Sequence, residues 1–342
     1  MDFRECMMEN SRKSPLSKFC VINNIHGLFI YYLLNPEDFK KTTFVISDGI
    51  SKDIQKKLPT TIVFPSFNNY PKLISLLLRV IYYNYKKILL HFSRQNIQVY
   101  GHDHLYFSQL YIKRSNSFIL IEDGLANYSS TKVSRYSFIR EILFGSKGPF
   151  FGWSDDIDKI ILSGIVTIPE RISNKVTEID ITNEWNHLTF IQKNYFLDLF
   201  SEEPYIPLSK VVIFTQPFSE DGMMTEHEKI EIYKIIYEHY CSIYSKNEIC
   251  IKSHPREQTN YSKYFDCASI QSKIPGQIMI LIDQPEVLAT IYSSVGFVKG
   301  SAQAHVWGTS FNEFLLKKVG KFEGNYNGFK RNEKNCCYSS IG

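Results

Sequence analysis

Glu122 and Asp123 stand side by side, directly after the apolar run Phe118-Ile-Leu-Ile and directly before Gly124. Adjacent carboxylates at a strand end can supply a general base to a hydroxyl nucleophile, because partial burial raises one pKa and the neighbouring charge adds to the shift. The same residues also suit a plain turn, with Asp123 bonding its own backbone and Gly124 supplying a positive φ. Asp48-Gly49 and Asp221-Gly222 show how readily that dipeptide recurs.

Further along, His254 lies between Lys252 and Arg256 with Pro255 beside it. An imidazole between two permanent cations suits a phosphate, and a histidine satisfied at a strand end is the competing reading. Glu257 is the one other ligand type nearby, too few for a metal. Ser293 and Ser294, followed by Val295 and Gly296, could place hydroxyl and backbone donors around a phosphate oxygen, or simply end a helix. Glu286, after Pro285, could accept from ribose hydroxyls or open a helix. Gln216 and Pro217 could border a nucleotide or form a turn.

Such residues act together only if elements bring them together. Short apolar runs predict strands over 19–22, 43–46, 61–64, 97–100 and 118–121, with room for a helix between most of them. That is a βαβ series on a parallel sheet. The Gly, Pro and aromatic cluster over 144–156 has no helix or strand period and reads as a connection between domains. Beyond it, strands are expected over 159–162, 211–214, 249–252 and 278–282, and helices over 225–244 and 285–292. The expectation is therefore an α/β chain of two Rossmann-like domains, 1–155 and 156–342, facing a central cleft. Parallel strands place their carboxyl ends together, so the strand-end loops should line one side of each sheet.

At 342 residues, two domains are the default. With 44% hydrophobic and 22% charged residues the chain reads as packed and globular, not as extended disorder. A net charge of +4 is too small to imply nucleic acid, though it suits an anionic small molecule or a membrane surface. The 7 cysteines are odd in number and show no CxxC pair, which fits a reducing cytoplasm and gives no structural zinc site. The amino terminus carries charges throughout and no apolar signal region, so a cytoplasmic location is expected. The most lipid-like stretch, 73–92, is interrupted by Arg79, Lys86 and Lys87, against a spanning helix. It reads as a helix packed on a sheet, or, through Tyr82, Tyr83, Tyr85, Lys86 and Lys87, as a basic aromatic surface for an anionic membrane.

Taken in order, Glu122-Asp123-Gly124, Gln216-Pro217, His254-Pro255 and Ser293-Ser294 resemble the motifs of bacterial sialyltransferases, most closely glycosyltransferase family 52. The resemblance covers about residues 21–300. It implies a GT-B fold and an inverting, metal-independent transfer from CMP-sialic acid (CMP-Neu5Ac), which is a donor substrate and not a cofactor. Glu122 and Asp123 would supply the base. His254 would bind the CMP phosphate and help it depart, with Lys252, Pro255, Ser293 and Ser294 around it. Glu286 would hold the ribose, while Gln216 and Pro217 flank the nucleotide. The implied acceptor is a galactose-terminated oligosaccharide of a bacterial surface glycan, a lipooligosaccharide or a lipid-linked O-antigen, with α2,3 the expected linkage. Peripheral association with the inner membrane and a homodimer are both allowed, and nucleic acid is not expected. The alternatives are a transferase of the same fold using another CMP-linked nonulosonic acid, and a nonenzymatic nucleotide-sugar-binding protein. His102, Asp103 and His104 at an earlier strand end could serve the acceptor or compete as base, and are assigned no catalysis.

Overall fold

The computed structural model describes residues 17–91, 97–129, 137–146, 148–155, 157–200, 205–293, 295 and 302–326. Backbone contacts divide the chain into two compact units, Met1–Phe200 and Ser201–Gly342.

The first unit is built on seven strands: β1 (Ser17–Val21), β2 (Thr43–Ile46), β3 (Thr60–Val63), β4 (Ile97–Gly101), β5 (Ser117–Ile121), β6 (Lys159–Leu162) and β7 (Val176–Glu178). Their order is β3-β2-β1-β4-β5-β6-β7, and every pairing is parallel. Phe44, Val45 and Ile46 in β2, like Ile119, Leu120 and Ile121 in β5, are buried in succession instead of alternating. Continuous burial is what a parallel sheet covered on both faces demands. The Ile25–Leu34 helix follows β1, opened by Asn24, whose side chain accepts from the Gly27 N–H. It buries seven successive residues, 27–33, so it packs as a core element.

The second unit holds β8 (Val211–Phe214), β9 (Ile249–Lys252), β10 (Ala268–Ile270), β11 (Val287–Thr290) and β12 (Gln303–Val306), in the order β10-β9-β8-β11-β12 and again all parallel. The Glu226–Cys241 helix starts at Thr225 with a reciprocal capping box to Glu228, so the residue pattern there does fix a helix start.

Three expectations need correction. The chain does not break at 155/156: β6 pairs with β5 from Ile119↔Lys159 to Ile121↔Ile161. Trp153 and Ile157 are buried against Leu120 and Ile160, so the Gly, Pro and aromatic cluster is a packed corner of the first unit. The run over 278–282 is not a strand but lies in the Gly276–Asp283 helix, and 285–292 is not a helix but contains β11, buried throughout. Apolar runs of four or five residues do not separate buried strand from buried helix. Here Gln284, with φ 47, ends the helix in the left-handed region, and Pro285 follows.

Both sheets have the strand order of a doubly wound fold, in which the order reverses once and a crevice opens at the carboxyl ends there. The reversal lies between β1 and β4 in the first unit and between β8 and β11 in the second.

Candidate active site

In the first unit, residues just past the carboxyl ends of β1, β4, β5 and β6 meet around Glu122. Its carboxylate is fully buried. Oε1 takes His26 Nε2 at 2.9 Å, and Oε2 accepts from the Tyr128 hydroxyl at 2.8 Å and the Ser163 N–H at 2.6 Å. The Ser163 hydroxyl adds bonds of 3.0 and 2.8 Å to the two oxygens. Burial alone would raise the pKa of this carboxyl, but the bonds from His26 and Ser163 outweigh it and hold it below the ordinary glutamate value. A carboxylate satisfied on both oxygens is an anchor, not a base waiting for a proton.

Asp123 differs. Its side chain keeps a fifth of its surface. Oδ1 accepts from Asn24 Nδ2 at 2.5 Å, and the same amide bonds the Asp123 carbonyl at 3.0 Å. The Asp123 N–H donates to Asn127 at 2.8 Å, and Gly124 turns the chain with φ 131. Gly124 thus supplies the positive φ of the turn reading, while the hydrogen bond of the Asp123 side chain is with Asn24, which leaves a held, partly exposed carboxylate beside a buried one.

Around Asp123 lies a histidine pair. His102 Nδ1 is 3.2 Å from Asp123 Oδ1. Neither ring nitrogen of His102 has a hydrogen bond among the described residues. A Cβ on Gly27 would sit 2.6 Å from His102 Nε2, so only glycine admits this ring against the helix start. Burial, then the charge of His26, pushes His102 down to about 3; burial, then His102, pushes His104 down to about 4. Both rings are held towards the neutral form, His102 fully buried and His104 half-buried. Asp103 accepts from the Phe151 and Gly152 N–H groups at 2.7 and 3.0 Å, tying the 150–152 loop to the end of β4. His102, His104 and Asp123 place one ligand-type atom each within 4.8 Å of one another. They are the one set among the described residues with the spacing to hold a metal ion.

In the second unit, Gln216, Pro217 and His254 follow the carboxyl ends of the adjacent strands β8 and β9, and Ser293 follows β11. Gln216 is buried, and its Oε1 has no hydrogen bond among the described residues; the same holds for the Ser253 hydroxyl. The Arg256 N–H donates to His254 Nδ1 at 3.2 Å. A neutral His254 therefore carries its proton on Nε2. Burial, then the Arg256 charge, holds its pKa below the usual imidazole value. The loop is shaped by Glu257, whose buried carboxylate accepts from the His254 N–H at 2.6 Å and the Tyr261 hydroxyl at 2.7 Å, and also from the Thr215 hydroxyl. Buried Lys229 pairs with Glu257 at 3.3 Å and with Glu220 at 2.9 Å.

Two sequence-derived positions do not sit where they were expected. Lys252 points inward: its ammonium donates to the Ser253 and Ser272 carbonyls at 2.7 and 2.9 Å, and burial lowers it to about 8. The exposed cation of the loop is Arg256, paired with Asp221 through both of its terminal nitrogens at 2.7 and 3.2 Å. Glu286 precedes β11 while Ser293 follows it, so Glu286 lies at the opposite end of the sheet from Gln216 and His254. There it accepts from Tyr244 at 3.0 Å and pairs with Lys210 at 3.3 Å. A ribose contact from Glu286 is incompatible with that placement. The Ser293 hydroxyl accepts from the Val295 N–H at 3.4 Å, and Ser294 lies outside the described residues.

His26, Ser163, Asn24 and Lys229 were not identified from the sequence. Asn24 had a signal, since an asparagine ahead of an apolar helical run marks a cap. His26 and Ser163 had none, because they reach Glu122 across 96 and 41 residues.

The family model of glycosyltransferase family 52 matches residues 48–301. An uncharacterized protein of Haemophilus influenzae is 28% identical over 313 residues, which cover 89% of this chain and 98% of that one.

Proposed function

The chain belongs to glycosyltransferase family 52, and on that premise we propose that it moves sialic acid from CMP-sialic acid to a galactose-terminated acceptor of a bacterial surface glycan, with inversion and without a metal cofactor. The observation that carries this reading is the division of labour between Glu122 and Asp123: one carboxylate fully bonded in the interior, the next held by Asn24 with a fifth of its side chain exposed. Two parallel α/β sheets are also the material of a GT-B transferase.

In the proposed reaction Asp123 takes the proton of the acceptor hydroxyl as its oxygen attacks the anomeric carbon of the sialyl group. The bond from that carbon to the CMP phosphate breaks, and CMP leaves with the electron pair. An inverting displacement of this kind needs its base on the face opposite the leaving group. His254 Nε2–H donates to the departing phosphate, where negative charge grows and a positioned donor lowers the barrier most. Gln216, whose buried carbonyl oxygen has no hydrogen bond among the described residues, is suited to the amino group of the cytosine base. Ser293 sits across the strand reversal from it. Glu122, His26 and Ser163 position Asp123 without touching substrate.

The test is release of CMP from CMP-sialic acid with and without a galactose-terminated acceptor, in EDTA. Parallel assays with other CMP-linked nonulosonic acids separate a change of donor from a loss of function. Tight CMP binding without turnover of any donor would instead favour a nonenzymatic binding role.

A further inference from the structure

The Lys72–His91 helix is twenty residues long and contains no aspartate or glutamate. Its inner face is accounted for. The Tyr82 hydroxyl donates to the Val63 carbonyl at 2.9 Å, and Tyr83, buried, donates to the Phe144 carbonyl at 2.9 Å. Its outer face is not. Leu73, Leu77, Ile81, Tyr85 and Ile88 recur every three or four residues and stay 82%, 59%, 57%, 55% and 60% exposed. The Ser137–Phe144 helix beside it adds Phe138 and Ile142, also exposed. Scattered single apolar residues on a surface need no explanation, but a continuous stripe does.

Next to the stripe, the same two helices and the short Ser108–Ile112 helix line an open cavity of about 430 Å³. Lys87, Lys113 and Arg114 line it, with Glu141 as the one carboxylate. On the helix itself Lys86 lies over the Tyr82 and Tyr85 rings at 5.4 and 5.9 Å. An apolar stripe flanked by cations and aromatic rings is the pattern of a helix lying in a bilayer interface. No helix among the described residues is long and apolar enough to cross a membrane.

We propose that this face docks on a bilayer containing anionic phospholipid, the stripe entering the acyl boundary and the cavity taking a headgroup phosphate among Lys87, Lys113 and Arg114. Charge decides between this occupant and a second copy of the chain. Two copies joined through this face would bring the Lys87, Lys113 and Arg114 clusters of both copies into one interface, and like charges across an interface are repelled. An anionic surface complements them. The proposal does not rest on the transferase reading.

The experiment is co-sedimentation of the full chain with vesicles of phosphatidylcholine alone and of phosphatidylcholine with phosphatidylglycerol, beside sedimentation velocity without lipid. Binding is expected to the mixed vesicles alone and to weaken with salt. Leu77→Gln with Ile81→Gln should abolish it, and Lys87→Gln with Lys113→Gln should weaken it on the order of tenfold. All four positions line the outer face or the cavity, so melting temperatures should stay near that of the parent. Should the apolar double variant fail to fold, the lysine pair alone carries the test. Equal binding to both vesicle types, no binding to either, or a lipid-free dimer that Leu77→Gln with Ile81→Gln dissociates would each overturn the proposal.

Discussion

His26 Nε2 lies 2.9 Å from Glu122 Oε1, bringing the start of the first core helix onto the end of β5. This contact, with those of Tyr128 and Ser163, fixes Glu122 as a support and leaves Asp123 as the group able to accept a proton. Asp123→Asn is expected to melt like the parent and to lose about 10²–10⁴ in turnover with CMP affinity unchanged. Glu122→Ala removes the acceptor that His26, Ser163 and Tyr128 share and should cost about 3 kcal/mol or more of stability. Thermal melting and CMP titration of the two variants separate these roles; the opposite pattern would make Glu122 the base.

The histidine pair makes stability depend on pH with a defined sign. His102 and His104 titrate at about 3 and about 4 in the folded chain against an ordinary 6.5. As pH falls, the unfolded chain takes up these protons first. The stability from keeping the rings neutral is therefore full above the ordinary value and is lost from there down to the folded values. Glu122, held low, adds a loss of the same sign at the acid end. Asp103, raised to about 6 mainly by burial, works the other way, against His102, His104 and the likewise lowered His254. Denaturant midpoints between about pH 7 and about pH 4 should fall, and His104→Gln should flatten the fall. A parent midpoint independent of pH would contradict the burial of the pair.

Lys229 is a buried cation whose partners are both carboxylates, Glu220 and Glu257. Lys229→Ala removes the charge and leaves Glu257 buried with less compensation. A loss of about 3–5 kcal/mol is expected, read as a lower melting temperature, and with it a looser His254 loop. Glu257 holds the His254 N–H, so CMP affinity should weaken in the same variant.

Gln216 supplies a cleaner separation. Its buried Oε1 has no hydrogen bond among the described residues, so replacing it by an apolar group of similar size removes a desolvation cost instead of a bond. Gln216→Leu should melt at or above the parent temperature while binding CMP about tenfold more weakly. Unchanged CMP affinity would remove Gln216 from the nucleotide site.

What the sequence made legible follows from the physics of each signal. The strands over 43–46, 159–162, 211–214 and 249–252 coincide with β2, β6, β8 and β9, because buried parallel strands write themselves as unbroken apolar runs. Sheet membership of β6 was not legible: pairing with β5 is a nonlocal fact, and the Gly and Pro residues of 144–156 look the same in a linker as in a packed corner. Adjacent carboxylates could be seen, but not which was buried, since His26 and Ser163 arrive from a helix start and a strand end far along the chain. Lys252 and Glu286 show the complementary limit. A residue type announces what a side chain could bind, whereas the strand end it occupies decides what it can reach.

The most direct measurement is acceptor-dependent CMP release from CMP-sialic acid by the parent, Asp123→Asn and His254→Ala. The expected result is release by the parent in EDTA, with losses on the order of 10²–10⁴ in Asp123→Asn and 10²–10³ in His254→Ala, and intact folding in both. Acceptor-dependent release that survives in Asp123→Asn, or release that requires an added metal ion, would contradict the account.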